Sequence, residues 1–363
     1  MKNKQTVLVA MSGGVDSAVA LLKIIEMGYK AIGITMKLWE YKNVGGNTLK
    51  ENNCCAVESI NNAKLICERL GVRHYTIDFT KDFENKVINN FVNEYIAGRT
   101  PNPCVRCNSY VKWDTFIRQA DKLGAKYIAT GHYAIIDKKN NKHRILRGKD
   151  KLKDQSYVLW GIPQNTLART ILPLGELTKS EVRSIAREHS FETADTPESM
   201  EICFVADNNY KRFIKEYAQE KTKNIKEGKT LDESGNVIGE NPGYINYTIG
   251  QRKGIGVTKP NPLYVKKIDA RNNSITVSEK KSLFSSDCYV SNVNWLTEDY
   301  KFPMKINCQI RYNGYLSKAI LSKKDDKIHA GFSEPQLAIT PGQSIVFYDN
   351  EQALLGGGII EII

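Results

Sequence analysis

Strand-like and helix-like segments alternate along the first half of the chain, and this alternation constrains the fold more than any other feature of the sequence. Thr6–Met11 predicts a buried strand, and Ala18–Met27 has apolar residues at helical spacing before Gly28 ends the predicted helix. Further predicted strands are Ala31–Met36, His74–Ile77 and Tyr127–Thr130, and further predicted helices are Ser59–Leu70, Phe83–Ile96 and Tyr110–Leu123. Alternation with helix-ending glycines is typical of α/β proteins with a doubly wound parallel sheet, whose ligands bind at the carboxyl ends of the strands.

The pattern changes after about Phe204. A helical stretch at Tyr210–Gln219 precedes glycine-punctuated segments, and from about Leu263 short β-branched and aromatic runs dominate. Such runs separated by turn residues indicate an antiparallel barrel. We therefore predict three domains: a doubly wound α/β domain over residues 1–204, a small central α+β domain over 205–264 and a C-terminal antiparallel β-barrel over 265–363.

The composition excludes several classes of protein. Apolar residues make up 41% and charged residues 25% of the chain, which is an ordinary globular balance. No stretch approaches the roughly 18 uninterrupted apolar residues that a membrane span needs, and the N-terminal apolar run is too short for a secretory signal. We therefore expect a cytoplasmic protein whose eight cysteines are kept as thiols.

Positive charge is concentrated in one segment. The 52 Lys and Arg exceed the 40 Asp and Glu, giving a net charge of +12, and eight of these cations lie between Lys138 and Lys153. A concentrated basic segment is typical of proteins that neutralise nucleic-acid phosphates. The alternative is a solvated, lysine-rich hairpin with no such partner.

A glycine-rich loop, Ala10-Met11-Ser12-Gly13-Gly14-Val15-Asp16-Ser17, separates the first predicted strand from the first predicted helix. Adjacent glycines let the backbone approach an anion, and the helix points its free N–H groups at the same place. Ser12 and Ser17 add hydroxyl donors, and Asp16 can hold a magnesium ion or position a donor. The alternative is an ordinary glycine turn capped by Ser17. The loop lacks the Walker lysine, and it resembles the pyrophosphatase loop of ATP enzymes that adenylate a carbonyl oxygen before a nucleophile displaces AMP.

Three cysteines are candidates for the nucleophile. Cys104 and Cys107 lie in a proline-stiffened segment just before a predicted helix, and Cys203 follows about a hundred residues later. A thiol near a helix N-terminus has a lowered pKa, which favours a thiolate at Cys107. A partial zinc site is the weaker alternative, because zinc takes four ligands and these cysteines supply three.

Taken together, the motifs resemble the tRNA-specific 2-thiouridylase family (MnmA/TrmU) along essentially the whole chain. The segments that carry the resemblance are Ser12–Ser17, Thr100–Asn108, Gly131–Tyr133, Lys153–Tyr157, Ile202–Phe204, Tyr247–Arg252 and Pro341–Gln343. The resemblance implies a tRNA-uridine 2-sulfurtransferase with an ATP-pyrophosphatase (PP-loop) domain. Such an enzyme uses ATP with Mg²⁺ to replace the C2 oxygen of the wobble uridine in lysine, glutamate and glutamine tRNAs by sulfur. It also implies a persulfide donor protein, such as a cysteine desulfurase or a sulfur-relay carrier.

The resemblance also implies roles for single residues. Cys107 matches the catalytic nucleophile and Cys203 the cysteine that carries the persulfide, with a transient disulfide between them. The positions that match ATP contacts are Ala10, Met11, Ser12, Gly13, Gly14, Val15, Asp16, Ser17, Met36 and Gly131. The positions that match contacts to the target base are Asn102, Pro103 and Cys104. The positions that match tRNA contacts are His132, Lys153, Asp154, Gln155, Arg311, Tyr312 and Gln343.

One position departs from the family pattern and leaves alternatives open. Many members have an aspartate, usually assigned acid–base work, where this chain has Cys104. Either Cys104 is a helper thiol, or Cys104, Cys107 and Cys203 hold three irons of a [4Fe–4S] cluster that thiolates the same base. Two broader alternatives are a different PP-loop ligase and a non-catalytic RNA-binding module.

Overall fold

The structure is a computed structural model that describes residues 4–40, 44, 57–197, 202–205, 207–257, 259–298, 300–325 and 327–361. Contacts between residues divide the chain into two compact units. The first, the sheet unit, comprises Met1–Val87, Cys104–Asn209 and Glu351–Leu354. The second, the barrel unit, comprises Ile88–Pro103, Tyr210–Asn350 and Leu355–Ile363.

A five-stranded parallel sheet forms the centre of the sheet unit, which confirms the predicted doubly wound fold. The strands of this unit are β1 Thr6–Ala10, β2 Lys30–Lys37, β3 His74–Asp78, β4 Tyr127–Ala129, β5 Ala134–Lys139, β6 Lys142–Arg147 and β7 Thr170–Ile171. The sheet order is β3-β2-β1-β4-β7, and β5 and β6 form a separate antiparallel hairpin. Because β1 pairs with β2 on one side and β4 on the other, the strand order reverses between β1 and β4. Ligands of such sheets bind at this reversal, so the loops after β1 and β4 are the expected site.

Five of the described helices overlap predicted ones over most of their length, whereas the helix Lys179–Glu188 is not among the predictions. The described helices are α1 Val15–Glu26, α2 Val57–Arg69, α3 Thr80–Phe83, α4 Asn89–Ile96, α5 Pro103–Cys107, α6 Phe116–Lys122, α7 Lys179–Glu188, α8 Tyr210–Tyr217 and α9 Gln219–Thr222. Two π-helical segments, Glu84–Ile88 and Asn108–Thr115, interrupt stretches that the sequence predicts as single helices. Apolar spacing over two turns does not separate a π-helix from an α-helix, so the sequence pattern could not reveal them.

The barrel unit contains two β structures. A four-stranded sheet is ordered β10-β11-β8-β9, and a closed barrel is ordered β12-β15-β14-β13-β16-β17. Their strands are β8 Gly228–Leu231, β9 Val237–Asn241, β10 Tyr264–Asp269, β11 Ser274–Ser278, β12 Phe284–Trp295, β13 Met304–Gln309, β14 Ser317–Lys324, β15 Lys327–Leu337, β16 Ser344–Tyr348 and β17 Leu354–Glu361.

The start of the barrel differs from the predicted boundary at residue 265. β10 and β11 belong to the central sheet, because β11 pairs in parallel with β8, and the barrel begins only with β12. A strand pattern in the sequence predicts a strand but not its partner, so the sequence alone does not assign β10 and β11 to the central sheet. The barrel encloses an apolar core that includes Leu321, Ile345 and Phe347, all fully buried. Among the described residues, no helix has both the length and the apolarity to cross a membrane.

Candidate functional site

The loop after β1 has the shape of an anion cradle. Gly13 has φ +77°, and a Cβ added there would lie 2.1 Å from the carbonyl oxygen of Ser59, so only glycine fits. Gly14 is the N-cap of α1 and contributes no side chain to that end of the helix. The hydroxyl of Ser17 donates to the Gly14 carbonyl at 2.9 Å, and that of Ser12 donates to the Ser17 hydroxyl at 3.3 Å. The loop therefore leaves the N-terminus of α1 open to a phosphate group.

Asp16, in the first turn of α1, holds a charge pair at this loop. The ammonium of Lys179 donates to both of its carboxylate oxygens, at 2.7 and 2.8 Å, and the Tyr133 hydroxyl donates to one of them at 2.7 Å. Lys179 and Tyr133 are both buried. A Cβ added at Gly131 would lie 2.9 Å from the Asp16 backbone carbonyl, so the loops after β1 and β4 meet in close contact. The predicted ATP positions Asp16 and Gly131 are thus neighbours.

The segment Asp154-Gln155 shapes the same region. Gln155 pairs with both backbone groups of Tyr133: its side-chain oxygen accepts from the Tyr133 N–H at 3.0 Å, and its own N–H donates to the Tyr133 carbonyl at 2.8 Å. Asp154 is buried and accepts from Arg147 at 2.5 Å and from the N–H of Gly148 at 3.0 Å. Both residues therefore make contacts that position Tyr133 and the turn after the hairpin. Their tRNA contacts, and that of Lys153, stay predictions.

His132 is buried beside Gly131. Its Nδ1 lies 2.8 Å from the hydroxyl of Thr130, and its ring centroid is 5.5 Å from that of Trp113. Burial, together with the charge of Lys112, holds the pKa of His132 well below its ordinary value. The imidazole is therefore neutral at pH 7, so its second nitrogen can act as a hydrogen-bond partner rather than as a cation.

The remaining predicted ATP positions line the ends of two adjacent strands. Ala10 ends β1, and buried Met11 follows, its N–H donating to the Ile34 carbonyl at 2.8 Å. The Thr35 hydroxyl donates to the Met11 carbonyl at 3.0 Å. Met36 continues β2 and is nearly buried. These apolar side chains beside the phosphate cradle suit a flat, apolar group such as a nucleobase.

The three cysteines all lie in the sheet unit, and none of them is in a disulfide. The helix that holds Cys107 begins earlier than predicted, at Pro103, because proline is favoured at a first helical position. Cys104 therefore occupies the first turn of α5, and Cys107 ends that helix and is buried. Cys104 is exposed, yet the surrounding protein raises the pKa of its thiol, against the opposing charge of Lys112.

Cys203 is half-buried in a short turn. The Val205 N–H donates to the Ile202 carbonyl at 2.9 Å and closes this turn. Phe204 is buried and packs edge-to-face on Phe83, with ring centroids 5.7 Å apart. The aromatic contact fixes the turn and leaves the thiol partly accessible.

The thiols do not form a metal centre here. Within the described ranges, which include Cys104, Cys107 and Cys203, no group of three or more His, Cys, Asp or Glu side chains is arranged to hold a metal ion. Within these ranges, the [4Fe–4S] cluster and the zinc site therefore gain no support from the arrangement of the cysteines. A Mg²⁺ ion at Asp16 stays a prediction: a carboxylate with phosphate oxygens and water is a common ligand set for this ion, and here both carboxylate oxygens accept from Lys179.

Many cations of the basic segment Lys138–Lys153 bind the protein's own acids. Lys139 donates to both carboxylate oxygens of Glu351, at 2.7 and 2.8 Å, and Arg144 donates to Glu351 at 2.7 Å and to Asp137 at 2.8 Å. The net charge read from the sequence thus overstates the charge that this hairpin presents. A phosphate-binding role for it stays a prediction.

In the barrel unit, the segment before Cys104 is tightly held. The Gln343 side-chain amide donates to the carbonyls of Thr100 and Pro101, at 3.0 and 2.9 Å. Arg99 donates to both carboxylate oxygens of Glu361, at 2.5 and 3.1 Å. These contacts fix the backbone that leads into the predicted base-contacting residues Asn102 and Pro103. Gln343, predicted as a tRNA contact, is engaged with this backbone.

Arg311 and Tyr312 lie in the turn between β13 and β14. One guanidinium nitrogen of Arg311 donates to the Ala338 carbonyl at 2.6 Å, and the backbone carbonyls of both residues accept from the Gln309 side chain, at 2.9 and 2.6 Å. Tyr312 is exposed. Tyr315, three residues on, is 95% exposed, so this turn presents aromatic surface to solvent.

Known proteins are similar to this chain over nearly its whole length. Three family models match: a tRNA methyl transferase HUP domain over residues 5–207, a tRNA methyl transferase PRC-barrel domain over 211–279 and an aminomethyltransferase β-barrel domain over 285–360. The tRNA-specific 2-thiouridylase MnmA of Carboxydothermus hydrogenoformans is 45% identical, covering 99% of this chain and 98% of that protein. Those of Amoebophilus asiaticus and Clostridium botulinum are 44% and 41% identical, covering 98% and 99% of this chain and 95% and 99% of theirs.

The chain belongs to the tRNA-specific 2-thiouridylase family. Among the residues that the structure brings to its phosphate loop, Lys179 is one that sequence reasoning missed. The sequence does carry a signal for the start of its helix, since Thr178 and Glu181 form a capping box around it. Nothing in that signal says that Lys179 reaches Asp16, which is 163 residues away in the chain. The helix α7 thus brings a buried lysine to Asp16 of a loop that has no lysine of its own.

Proposed function

We propose that this thiouridylase uses ATP to replace the C2 oxygen of the wobble uridine in lysine, glutamate and glutamine tRNAs by sulfur, yielding 2-thiouridine, AMP and pyrophosphate. The observation that carries the proposal is that one compact unit holds both a charged phosphate cradle, built from Asp16 and Lys179, and three cysteine thiols outside any disulfide. Activation of the C2 oxygen by ATP needs the phosphate cradle, and its displacement by sulfur needs the thiols.

The first step is attack of the uridine C2 oxygen on the α-phosphate of ATP, which releases pyrophosphate. The N-terminus of α1 and the hydroxyls of Ser12 and Ser17 bind the phosphates. Lys179 neutralises Asp16, which would otherwise repel the anion, and its ammonium lies ready to stabilise the charge that develops on pyrophosphate. A Mg²⁺ ion, if bound by the phosphates and Asp16, would neutralise more of that charge.

The second step transfers sulfur. The terminal sulfur of a persulfide on Cys203 attacks C2, and the C2–oxygen bond breaks so that AMP leaves with that oxygen. The thiolate of Cys107 then attacks the Cys203 sulfur and breaks the sulfur–sulfur bond, so the transferred sulfur stays on C2. The two cysteines end as a disulfide, which a thiol reductant must reduce before the next cycle. A cysteine desulfurase or a relay carrier loads the persulfide.

Cys104 and the adjoining residues serve the target base in this proposal. Because the surrounding protein raises the pKa of the Cys104 thiol above its ordinary value, the group is protonated near pH 7 and can donate a proton or a hydrogen bond. A protonated thiol is thus a helper in place of the carboxylate found in many family members. Asn102 and Pro103 contact the base, which must leave the anticodon stack to be modified.

The test combines the full chain with a lysine tRNA transcript, ATP, Mg²⁺ and a cysteine desulfurase with cysteine, followed by nucleoside mass spectrometry. We expect 2-thiouridine together with AMP and pyrophosphate. Cys203→Ser abolishes 2-thiouridine but still forms AMP, because activation and sulfur transfer use different groups. The matched control, Cys288→Ala, removes a barrel thiol whose pKa burial raises to about 12, and it keeps thiolation.

The same assay separates the alternatives. AMP formation with ammonia or an amino acid in place of the persulfide source indicates a different PP-loop ligase. Binding of tRNA without ATP consumption by the wild-type chain indicates an RNA-binding module, and either outcome rejects the proposal. The cytoplasmic location and the three tRNAs stay predictions until such measurements are made.

A further inference from the structure

A glycine loop, defined here as residues 247–256 between the 3₁₀ turn Tyr244–Asn246 and β10, lies outside the phosphate cradle and the cysteines. Gly250, Gly254 and Gly256 have φ of +86°, +72° and +82°. This is the left-handed region that glycine occupies without strain. The path of the loop therefore depends on glycine at three positions within seven residues.

Hydrogen bonds fix this loop along its length. The Gly250 N–H donates to the Val265 carbonyl at 2.8 Å, and the Val265 N–H donates to the Gln251 carbonyl at 2.9 Å. The Gln251 side chain accepts from the Thr248 N–H at 3.1 Å and donates to the Lys253 carbonyl at 2.9 Å. Tyr247 and Ile255 are buried near its two ends. The glycine loop is thus a preorganised surface feature, and little entropy is lost when it binds a partner.

Two adjacent cations lie at the exposed tip. Arg252 and Lys253 are both exposed, and in the described part of the chain neither side chain makes an ion pair or a hydrogen bond. Between Glu240 and Asp269 the sequence has five Lys or Arg and no Asp or Glu.

Further cations approach the base of the loop. The ammonium of Lys211 lies 5.6 Å from the ring centroid of Tyr247. A Cβ added at Gly250 would lie 3.6 Å from a guanidinium nitrogen of Arg311, one of the predicted tRNA contacts. The glycine loop therefore lies within a basic neighbourhood formed by the central domain and the barrel, which belong to one unit.

We propose that the glycine loop is a phosphate-binding surface for the backbone of the tRNA, with Arg252 and Lys253 as its two phosphate ligands. The proposal rests on the proposed function, since it takes the RNA substrate as the partner. A guanidinium can bind two phosphate oxygens at once, and an ammonium binds as a point charge, so the pair suits consecutive phosphates of a nucleic-acid strand. Such contacts position the RNA without reading its sequence.

Salt dependence of tRNA binding tests this surface directly. The full chain is titrated with a lysine tRNA transcript at several salt concentrations, and log Kd is plotted against log salt. Each phosphate contact contributes about 0.7–0.9 to the slope, so Arg252→Ala with Lys253→Ala lowers the slope by about 1.4–1.8 and raises Kd by about tenfold or more at ~0.1 M salt. The charge-conserving pair Arg252→Lys with Lys253→Arg keeps the slope.

A matched control separates a local contact from a general effect of net charge. Lys280→Ala with Lys281→Ala removes two adjacent exposed cations of the same unit and leaves slope and Kd as in the wild type. An unchanged slope in the Arg252/Lys253 variant overturns the proposal, as does an equal loss in the Lys280/Lys281 control. A thiolation assay on the wild type keeps the two hypotheses apart, because the slope can be measured even if no 2-thiouridine forms.

Discussion

The two units of the molecule use their polar side chains in different ways. In the sheet unit, the groups at the phosphate loop bind each other: Asp16 holds Lys179 and Tyr133. In the barrel unit, the side chain of Gln343, expected to contact tRNA, binds backbone carbonyls of the segment that precedes Cys104. The sheet unit therefore fixes the position of charged groups for a reaction, whereas the barrel unit fixes the path of the backbone at Thr100 and Pro101.

This contrast predicts separable defects. Changes at the phosphate loop should lower the rate of AMP formation without changing the affinity for RNA. Changes at the backbone contacts should misplace the target base without changing the affinity for ATP.

The largest effect is expected at Lys179. Lys179→Met removes the cation that stabilises developing charge on pyrophosphate, which costs about 2–4 kcal/mol of transition-state stabilisation, so the rate of AMP formation should fall roughly 30- to 1,000-fold. Affinity for tRNA should stay at the wild-type value, because Lys179 is buried. Lys149→Met is the matched control, since this exposed lysine binds Glu181 in the first turn of the same helix. Near-normal AMP formation by the Lys179 variant would show that the pair with Asp16 is structural.

A smaller effect is expected at Gln343. Gln343→Leu leaves the carbonyls of Thr100 and Pro101 without their side-chain donor, which costs about 1–3 kcal/mol for such groups when buried. Hydrogen exchange of residues 98–103 should rise, and 2-thiouridine formation should fall more than ATP affinity does. Gln336→Leu, which changes a half-buried glutamine of the same barrel that does not contact the 98–103 backbone in the described structure, is the control. Unchanged exchange with weaker tRNA binding would instead make Gln343 a direct RNA ligand and remove the contrast between the units.

The pH dependence of stability tests the ion pair of Arg99 and Glu361, another contact that holds the segment before Cys104. Burial raises the pKa of Glu361, but hydrogen bonds from Arg99 and Ser291 outweigh it and lower that pKa overall. A carboxyl with a lowered folded-state pKa stabilises the protein above its unfolded pKa, near 4.3, and the contribution is lost as pH falls through the folded value. Urea unfolding should therefore show the difference between wild type and Glu361→Gln shrinking below about pH 4. A difference independent of pH would mean that the pair with Arg99 adds nothing.

The sequence predicted most of the fold for a physical reason. Strand–helix alternation and the two-glycine loop are local patterns, and they identify the parallel sheet and its phosphate cradle. The partner of β11 and the contact between Asp16 and Lys179 join residues far apart in the chain, so no local pattern reveals them. The early start of α5 puts Cys104 rather than Cys107 in the first turn. Its local signal is Pro103, since proline is favoured at the first position of a helix.

Charge density was the least informative sequence signal. It predicts a phosphate-binding surface at Lys138–Lys153, where several cations bind acids of the same unit. It does not predict one at the glycine loop, where two cations lie exposed. A count of Lys and Arg does not include the acids that folding brings beside them. Glu351, which binds two cations of the hairpin, is more than 200 residues away from both in the chain.

The smallest effect is expected in the hairpin itself. Lys139→Ala removes an exposed ammonium that already binds Glu351, at 2.7 Å, so the free energy of unfolding should change little. The salt slope for tRNA binding should also stay at the wild-type value. A cation that stays paired with a carboxylate does not neutralise an RNA phosphate and therefore releases no condensed counterion. A slope lower by about 0.7–0.9 would mean that RNA displaces Glu351 and recruits Lys139. In that case the hairpin would be a binding surface held closed by its own acids, and the sheet unit would contact RNA as well as catalyse the reaction.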